Sequence, residues 1–265
     1  MNASLSRGRM VIAFLLLAGI VSASVLAISL INNPIEQSLD LLNDYSIAVY
    51  FDRGNTAASR EAVVSMMEWM GATVTVIDED YVRNGSLSSY DMLIMPGGCY
   101  CDERCQVLAQ SDFEIIREFV STGGAYIGID GGAIYATAWR LDLFHGDFVA
   151  DANGTGEFLI ELDVNQESTD PDLSEGPATY TMFYEDSGYF KAVDWSGITI
   201  LCSYQDTGYP CTMSFLYGDG KVFLTSPHPE YEEGSLRDGT SYYDTLGDPD
   251  SEWDFMLNIC QWLLS

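Results

Sequence analysis

The sequence predicts an α/β domain: a mostly parallel sheet flanked by helices. Three observations predict it. Short apolar runs of strand type alternate with amphipathic helix patterns between residues 45 and 139, as βαβ units require. Two of those runs lead straight into glycine turns, Pro96-Gly97-Gly98 and Gly128-Ile129-Asp130-Gly131-Gly132. In a parallel sheet such turns fall at the carboxyl ends of the strands, where ligands bind. The closing stretch carries a helix-period pattern that can cover one sheet face.

The elements follow in order. Ser46 to Phe51 is an apolar β-type run and reads as the first strand. Asp52 to Asn55 forms a turn, and Thr56 is placed to cap a helix over 57–70 with Val63, Met66, Met67 and Met70 on one face. Gly71 ends that helix. Thr73 to Ile77 is the second strand, and Asp78 to Tyr90 a polar loop with room for one helical turn. Asp91 to Met95 is the third strand. Ser111-Asp112-Phe113-Glu114 reads as a capping box opening a helix to about Ser121. Ala125 to Ile129 is the fourth strand, entering a helix expected over 133–139.

The second half is richer in strands: Phe158 to Val164, Thr179 to Tyr184, Ile198 to Tyr204, Ser214 to Tyr217 and Lys221 to Thr225. Gly218-Asp219-Gly220 between the last two is a hairpin signal. Tyr231 to Ser251 reads as an acidic polar loop, and Glu252 to Leu264 as the amphipathic closing helix.

The charge is extreme. The chain has 40 acidic and 11 basic residues, a net −29. Two of the basic residues, Arg7 and Arg9, precede the first apolar segment, so the part after residue 33 carries 9 − 40 = −31. Such a surface repels nucleic acid, which is excluded as a partner. Acid-rich, lysine-poor surfaces suit high salt, where screening removes self-repulsion; a generally acidic secreted protein is the other reading. Residues 10–31 are uncharged and long enough to cross a bilayer, which takes about 20 residues. The arginines before that run orient the remainder outward. The expected organisation is therefore a cytoplasmic end at 1–9, a membrane anchor or cleaved signal peptide at 10–31, a linker at 32–44 and a domain at 45–265. The localisation expected is the cell membrane with an extracytoplasmic domain, or secretion after cleavage.

Export gives meaning to the six cysteines. Disulfides are expected between Cys202 and Cys211 and within the Cys99, Cys101, Cys105 cluster. Cys260 falls in the closing helix pattern and reads as core. The clustered three match no standard zinc-ligand spacing. Asn84-Gly85-Ser86 and Asn153-Gly154-Thr155 are glycosylation sequons. The acidic 232–250 loop lacks the spacing of a known calcium loop.

Three motifs carry chemistry. Small residues two before and two after Asp130 make the strained strand-to-helix elbow that presents a nucleophile in many hydrolases. The glycines of Pro96-Gly97-Gly98 free backbone N–H groups to face an anion. In Ser226-Pro227-His228-Pro229-Glu230 a carboxylate two residues after a histidine points the same way along an extended chain and can orient the imidazole.

In that order the motifs resemble the flavodoxin-like class I glutamine amidotransferase-like superfamily, and within it the domain type at the N-terminus of biotin-protein ligases. The resemblance covers about Ser46 to Glu230. It rests on Ile47-Ala48-Val49-Tyr50 with Asp52 and Gly54, on Tyr90-Asp91-Met92-Leu93-Ile94-Met95-Pro96-Gly97-Gly98, on Ile116-Arg117-Glu118-Phe119-Val120 with Gly123-Gly124, on Tyr126-Ile127-Gly128-Ile129 with Gly131-Gly132-Ala133, and on Ser226-Pro227-His228-Pro229-Glu230. It implies that Gly97, Gly98 and Gly131 belong to an oxyanion or ligand-binding turn, that His228 is the base and that Glu230 orients it. Active relatives carry cysteine where this chain has Asp130. No ligase catalytic domain is present in the sequence, so biotin transfer is not implied, and no cofactor is.

A carboxylate is a poor nucleophile toward an amide, and His228 has no proton to remove from it. Glutaminase activity is therefore not expected. The leading expectation is a non-catalytic domain in which Asp130 pairs with a protonated His228 and the pocket binds a small molecule or a partner protein. Three alternatives remain: Asp130 as covalent nucleophile of a hydrolase or transferase, a displaced nucleophile at Cys99 or Cys101, and a metal held by Asp130, His228 and Glu230. Tyr100, Tyr135, Trp139, Tyr204 and Tyr209 are either pocket-lining or ordinary core and loop aromatics.

Overall fold

The computed structural model describes residues 41–99, 107–150, 152–232, 234–248 and 250–265. The apolar run 10–31, Tyr100, Cys101 and Cys105 lie outside them. Among the described residues no helix is long and apolar enough to cross a membrane.

The first half alternates as expected: β1 (Ser46–Tyr50), α1 (Ala57–Trp69), β2 (Thr73–Ile77), α2 (Glu79–Arg83), a 3₁₀ turn (Ser86–Ser89), β3 (Met92–Met95), α3 (Gln110–Ser121), β4 (Ala125–Ile129) and α4 (Gly131–Tyr135). The second half adds β5 (Gly146–Ala150), β6 (Glu157–Val164), β7 (Thr179–Glu185), β8 (Gly188–Ala192), β9 (Ile198–Tyr204), β10 (Pro210–Tyr217), β11 (Gly220–Thr225) and α5 (Trp253–Leu263). The main sheet runs β2-β1-β3-β4-β11-β10-β9-β6-β7, and β5 pairs with β8 in a separate ribbon.

The sheet is mixed rather than mostly parallel. β2, β1, β3, β4 and β11 run parallel. From β11 outward the pairs are antiparallel, because the Gly218-Asp219 hairpin turns β10 back on β11. Every residue of β3 and β4 is buried, the continuous apolar reading of a strand covered on both faces. Alternation along β1 divides the core. Ile47 and Val49 pack with Val63 and Met66 of α1 and with Trp253 and Ile259 of α5. Ala48 and Tyr50 pack on the other side with Phe113, Ile116 and Val120 of α3.

Several local expectations are corrected. α3 begins at Gln110, before the proposed cap at Ser111, because the Asp112 carboxylate reaches back to the Ala109 N–H (2.8 Å). α4 starts at Gly131 and stops at Tyr135, since the N–H groups of Leu143 and Phe144 fold back onto the Ala136 carbonyl. Cys202 and Cys211 are not bridged; both are free and buried, and burial pushes the Cys202 thiol up to about 12 and the Cys211 thiol up as well. Cys260 is a free core residue, as its helix pattern indicates.

Candidate functional site

The site forms where the carboxyl ends of β3, β4 and β11 meet. Glycine makes that meeting possible. A Cβ on Gly132 would stand 1.9 Å from the Met95 carbonyl oxygen, and one on Gly131 would stand 2.1 Å from that of Gly98. Gly128 likewise packs against the Gly132 carbonyl. The elbow is thus pressed onto the Pro96-Gly97-Gly98 turn with no room for a side chain between them. Gly98 in turn abuts the Gly54 carbonyl, and the Cys99 N–H donates to that oxygen (2.7 Å).

Asp130 sits at the apex with φ 45° and ψ −109°. Its backbone N–H donates to Thr225 of β11 (2.9 Å), and its carbonyl receives the first N–H groups of α4 from Ala133 and Ile134. The half-buried carboxylate takes a long bond from the Gly98 N–H to Oδ2 (3.4 Å) and another from the Ser187 hydroxyl to Oδ1 (3.4 Å). Loss of solvent raises its pKa to about 6, against the lowering effects of the His228 charge and the Gly131 and Gly98 amides.

His228 reaches this point because β11 lies parallel to β4, Thr225 opposite Ile129. It is 2% exposed, and its Nδ1 meets Glu230 Oε1 at 2.9 Å. Burial pulls the imidazole pKa down. The Glu230 charge and hydrogen bond, with Asp130 and Glu185 beyond, outweigh that and raise it to about 9. At neutral pH the pair is therefore carboxylate and imidazolium, not a nucleophile and a free base. Nε2 of His228 is buried and has no hydrogen-bond partner.

The predicted residues Gly97, Gly98, Asp130, Gly131, His228 and Glu230 thus come together. Cys99 is disulfide-bonded. Asp130, His228 and Glu230 do not bring one ligand atom each within 4.8 Å of one another; among the described residues the acidic group that does is Asp248, Asp250 and Glu252. Of the five aromatics that read as either pocket-lining or ordinary core and loop residues, four are described. Tyr135 and Tyr204 are core, Trp139 and Tyr209 are exposed, and Tyr100 is outside the described residues.

Sequence reading missed four contributors. Ser59 of α1 is fully buried; its hydroxyl donates to Glu230 Oε1 (2.6 Å) and accepts the Gly97 N–H (2.8 Å), linking the glycine turn to the histidine's partner. Its position in step with Ala62, Val63 and Met66 on the buried face of α1 was the available signal: a polar residue on an apolar stripe. Ser187 and Ser226 pair behind Asp130 (2.7 Å) and join Tyr204 through Ser226 (2.9 Å). Glu185 ends β7 beside them and accepts from the Tyr242 hydroxyl (2.8 Å). The acidic loop after Tyr231 is no bare solvated strand of charge: it folds Tyr242 and Tyr243 onto Phe183, which itself lies against His228.

Residues 45–155 match the family model described as "Biotin-protein ligase, N terminal". A biotin–protein ligase of Schizosaccharomyces pombe is 25% identical over 170 residues, covering 56% of this chain; the chain spans only 27% of that protein's length. Among solved structures, a glutamine amidotransferase from Thermotoga maritima is similar with a TM-score of 0.54 at 12% identity, covering 83% of this chain and 88% of its own. A protein described as ThuA-like from Bacteroides uniformis gives 0.57 at 12% identity, over 84% and 93%. A β-galactosidase from Bacillus circulans gives 0.50 at 15% identity, over 72% of this chain and 29% of that one. At these identities the structures show shared fold alone. Over residues 45–155 the chain is thus similar to the N-terminal domain of biotin-protein ligases, and it shares its fold with a glutamine amidotransferase, while its own elbow carries Asp130.

Proposed function

We propose that this is a non-catalytic member of the fold that binds a ligand at the altered elbow. One observation carries the reading: the Asp130 carboxylate occupies the glycine turn, taking the Gly98 N–H that an amidotransferase would offer to a developing oxyanion. A fixed anion there competes with any oxyanion. The imidazolium of His228 beside it supports the same view, because a histidine held protonated cannot act as general base. The disulfide at Cys99 agrees, since a bonded sulfur is no thiolate nucleophile. The domain is proposed to work outside the cytoplasm, tethered or released by the 10–31 segment, in keeping with its acidic surface.

A second reading draws on the strained elbow: Asp130 keeps a backbone that presents a side chain for attack, and its carboxylate is the nucleophile toward an ester or alkyl halide. Turnover in ¹⁸O-water separates the two. The binding reading expects no ammonia from glutamine, no hydrolysis of ester or haloalkane panels, and no ¹⁸O in the Asp130 peptide by mass spectrometry. Label in that peptide, lost in Asp130→Asn, establishes the covalent enzyme instead. Protease protection of spheroplasts tests the location; a domain shielded from added protease in sealed spheroplasts, and cut once they are lysed, is not extracytoplasmic.

A further inference from the structure

We infer that the tyrosine and carboxylate cluster beside Asp130 and His228 recognises a small organic ammonium that also carries a hydrogen-bond acceptor; this rests on the binding reading above and names its ligand class. The first observation is an unbalanced charge. β6 and β7 pair with Glu157 directly opposite Glu185, a like-charge pair that destabilises a sheet unless something offsets it. Among the described residues no lysine, arginine or histidine is within ion-pair distance of either. Glu185 ends β7 close enough to Asp130 and His228 for its charge to raise the pKa of both.

The second observation is the lining. Tyr243 lies tilted against Phe183 with centroids 4.8 Å apart, Tyr242 stands edge-on to Tyr243 at 4.5 Å, and Tyr231 meets both Phe183 and Tyr242. Tyr242 bonds Glu185, and Tyr243 lies against Glu157. Tyr243 does this at φ 54°, a conformation a bulky residue adopts against its preference and keeps where surroundings impose it. Aromatic rings interleaved with carboxylates are the chemistry that recognises ammonium groups.

The third observation is independent of the acids. Nε2 of His228, on the ring side opposite the Glu230 bond, is a buried polar atom with no partner. A buried donor left unmade carries a free-energy penalty of about 1–3 kcal/mol. A hydroxyl or carbonyl oxygen on the ligand satisfies it, while the ammonium meets the carboxylates and rings. A bare metal ion suits the place less well, because the carboxylates here do not converge to coordination distance as Asp248, Asp250 and Glu252 do.

The test is calorimetric titration of the 34–265 protein with choline, tetramethylammonium and glutamine, at constant ionic strength set with sodium chloride. The expected result is saturable binding of choline, weaker binding of tetramethylammonium, which lacks the acceptor, and a loss of tenfold or more in choline affinity for Glu185→Gln. Tyr242→Phe, which keeps the ring and removes the Glu185 bond, serves as a second variant, checked for an unchanged melting temperature. No saturable binding of either ammonium, or choline affinity unchanged in both variants, overturns the inference while leaving the binding reading intact. Glutamine binding with release of ammonia overturns the non-catalytic reading itself.

Discussion

A carboxylate at φ 45° is held against its backbone preference, a strain of about 1–3 kcal/mol for a non-glycine residue. Asp130→Gly removes that strain together with two long hydrogen bonds, so the variant is expected to be more stable by about 1 kcal/mol in urea denaturation while losing ligand affinity. A lower midpoint would show that the Gly98 and Ser187 contacts outweigh the strain. His228 yields a pH prediction. Its pKa is raised from 6.5 to about 9, so the folded state holds a proton that the unfolded chain gives up. That stabilisation is complete below pH 6.5 and is lost as pH rises through 9. Unfolding free energy is expected to fall across this window by on the order of 3 kcal/mol, and the slope to vanish in His228→Gln. Asp130 acts in the same direction at lower pH: its contribution is complete below 3.8 and lost as pH rises through about 6.

Among elements, the contact of elbow and glycine turn is the least tolerant. Gly131→Ala sets a methyl 2.1 Å from the Gly98 carbonyl, and backbone cannot yield as a side-chain tip can. Destabilisation of about 3 kcal/mol or more is expected, read as a lower melting temperature in calorimetry; an unchanged value would mean that the two turns separate easily. These same glycines made the elbow legible in the sequence, since few backbones need small residues at those spacings. β4 and β9 were legible to the residue because punctuated apolar runs mark buried strands. β5 and β8 were not. Each opens on glycine, and each finds its partner some forty residues away, a pairing that no local pattern encodes. Ser59 was hidden for a similar reason: its partners Gly97 and Glu230 are remote in sequence.

For the whole molecule, 40 acids against 11 basic residues imply a fold that repels itself in dilute buffer. Raising salt from about 0.1 M to about 1 M is expected to raise the thermal midpoint by several degrees, through screening rather than specific ions. Equal midpoints with sodium and potassium chloride check that point, and a midpoint unmoved by either salt would refute it. The parallel half of the sheet was read correctly because local alternation implies it. In the sequence the antiparallel half reads as strands without an order, and the tyrosine wall by His228 reads as an acidic polar loop, because its acids dominate the local composition and its rings find Phe183 only in the folded chain.

The indole N–H of Trp253, at the start of α5, donates to the backbone carbonyl of Glu230 (3.1 Å), and the Arg237 guanidinium lies over both Trp253 and Trp69. The loop bearing Tyr242 and Tyr243 is therefore fastened at its far end by the last helix. Synthesis delivers that fastener after every other part of the pocket. A chain made only as far as the acidic loop would remain without that fastening until α5 had followed and docked. Cleavage just before Trp253 would leave the elbow and glycine turn in place but unlatch the wall above them. Binding competence thus doubles as a report that α5 has been made and has docked.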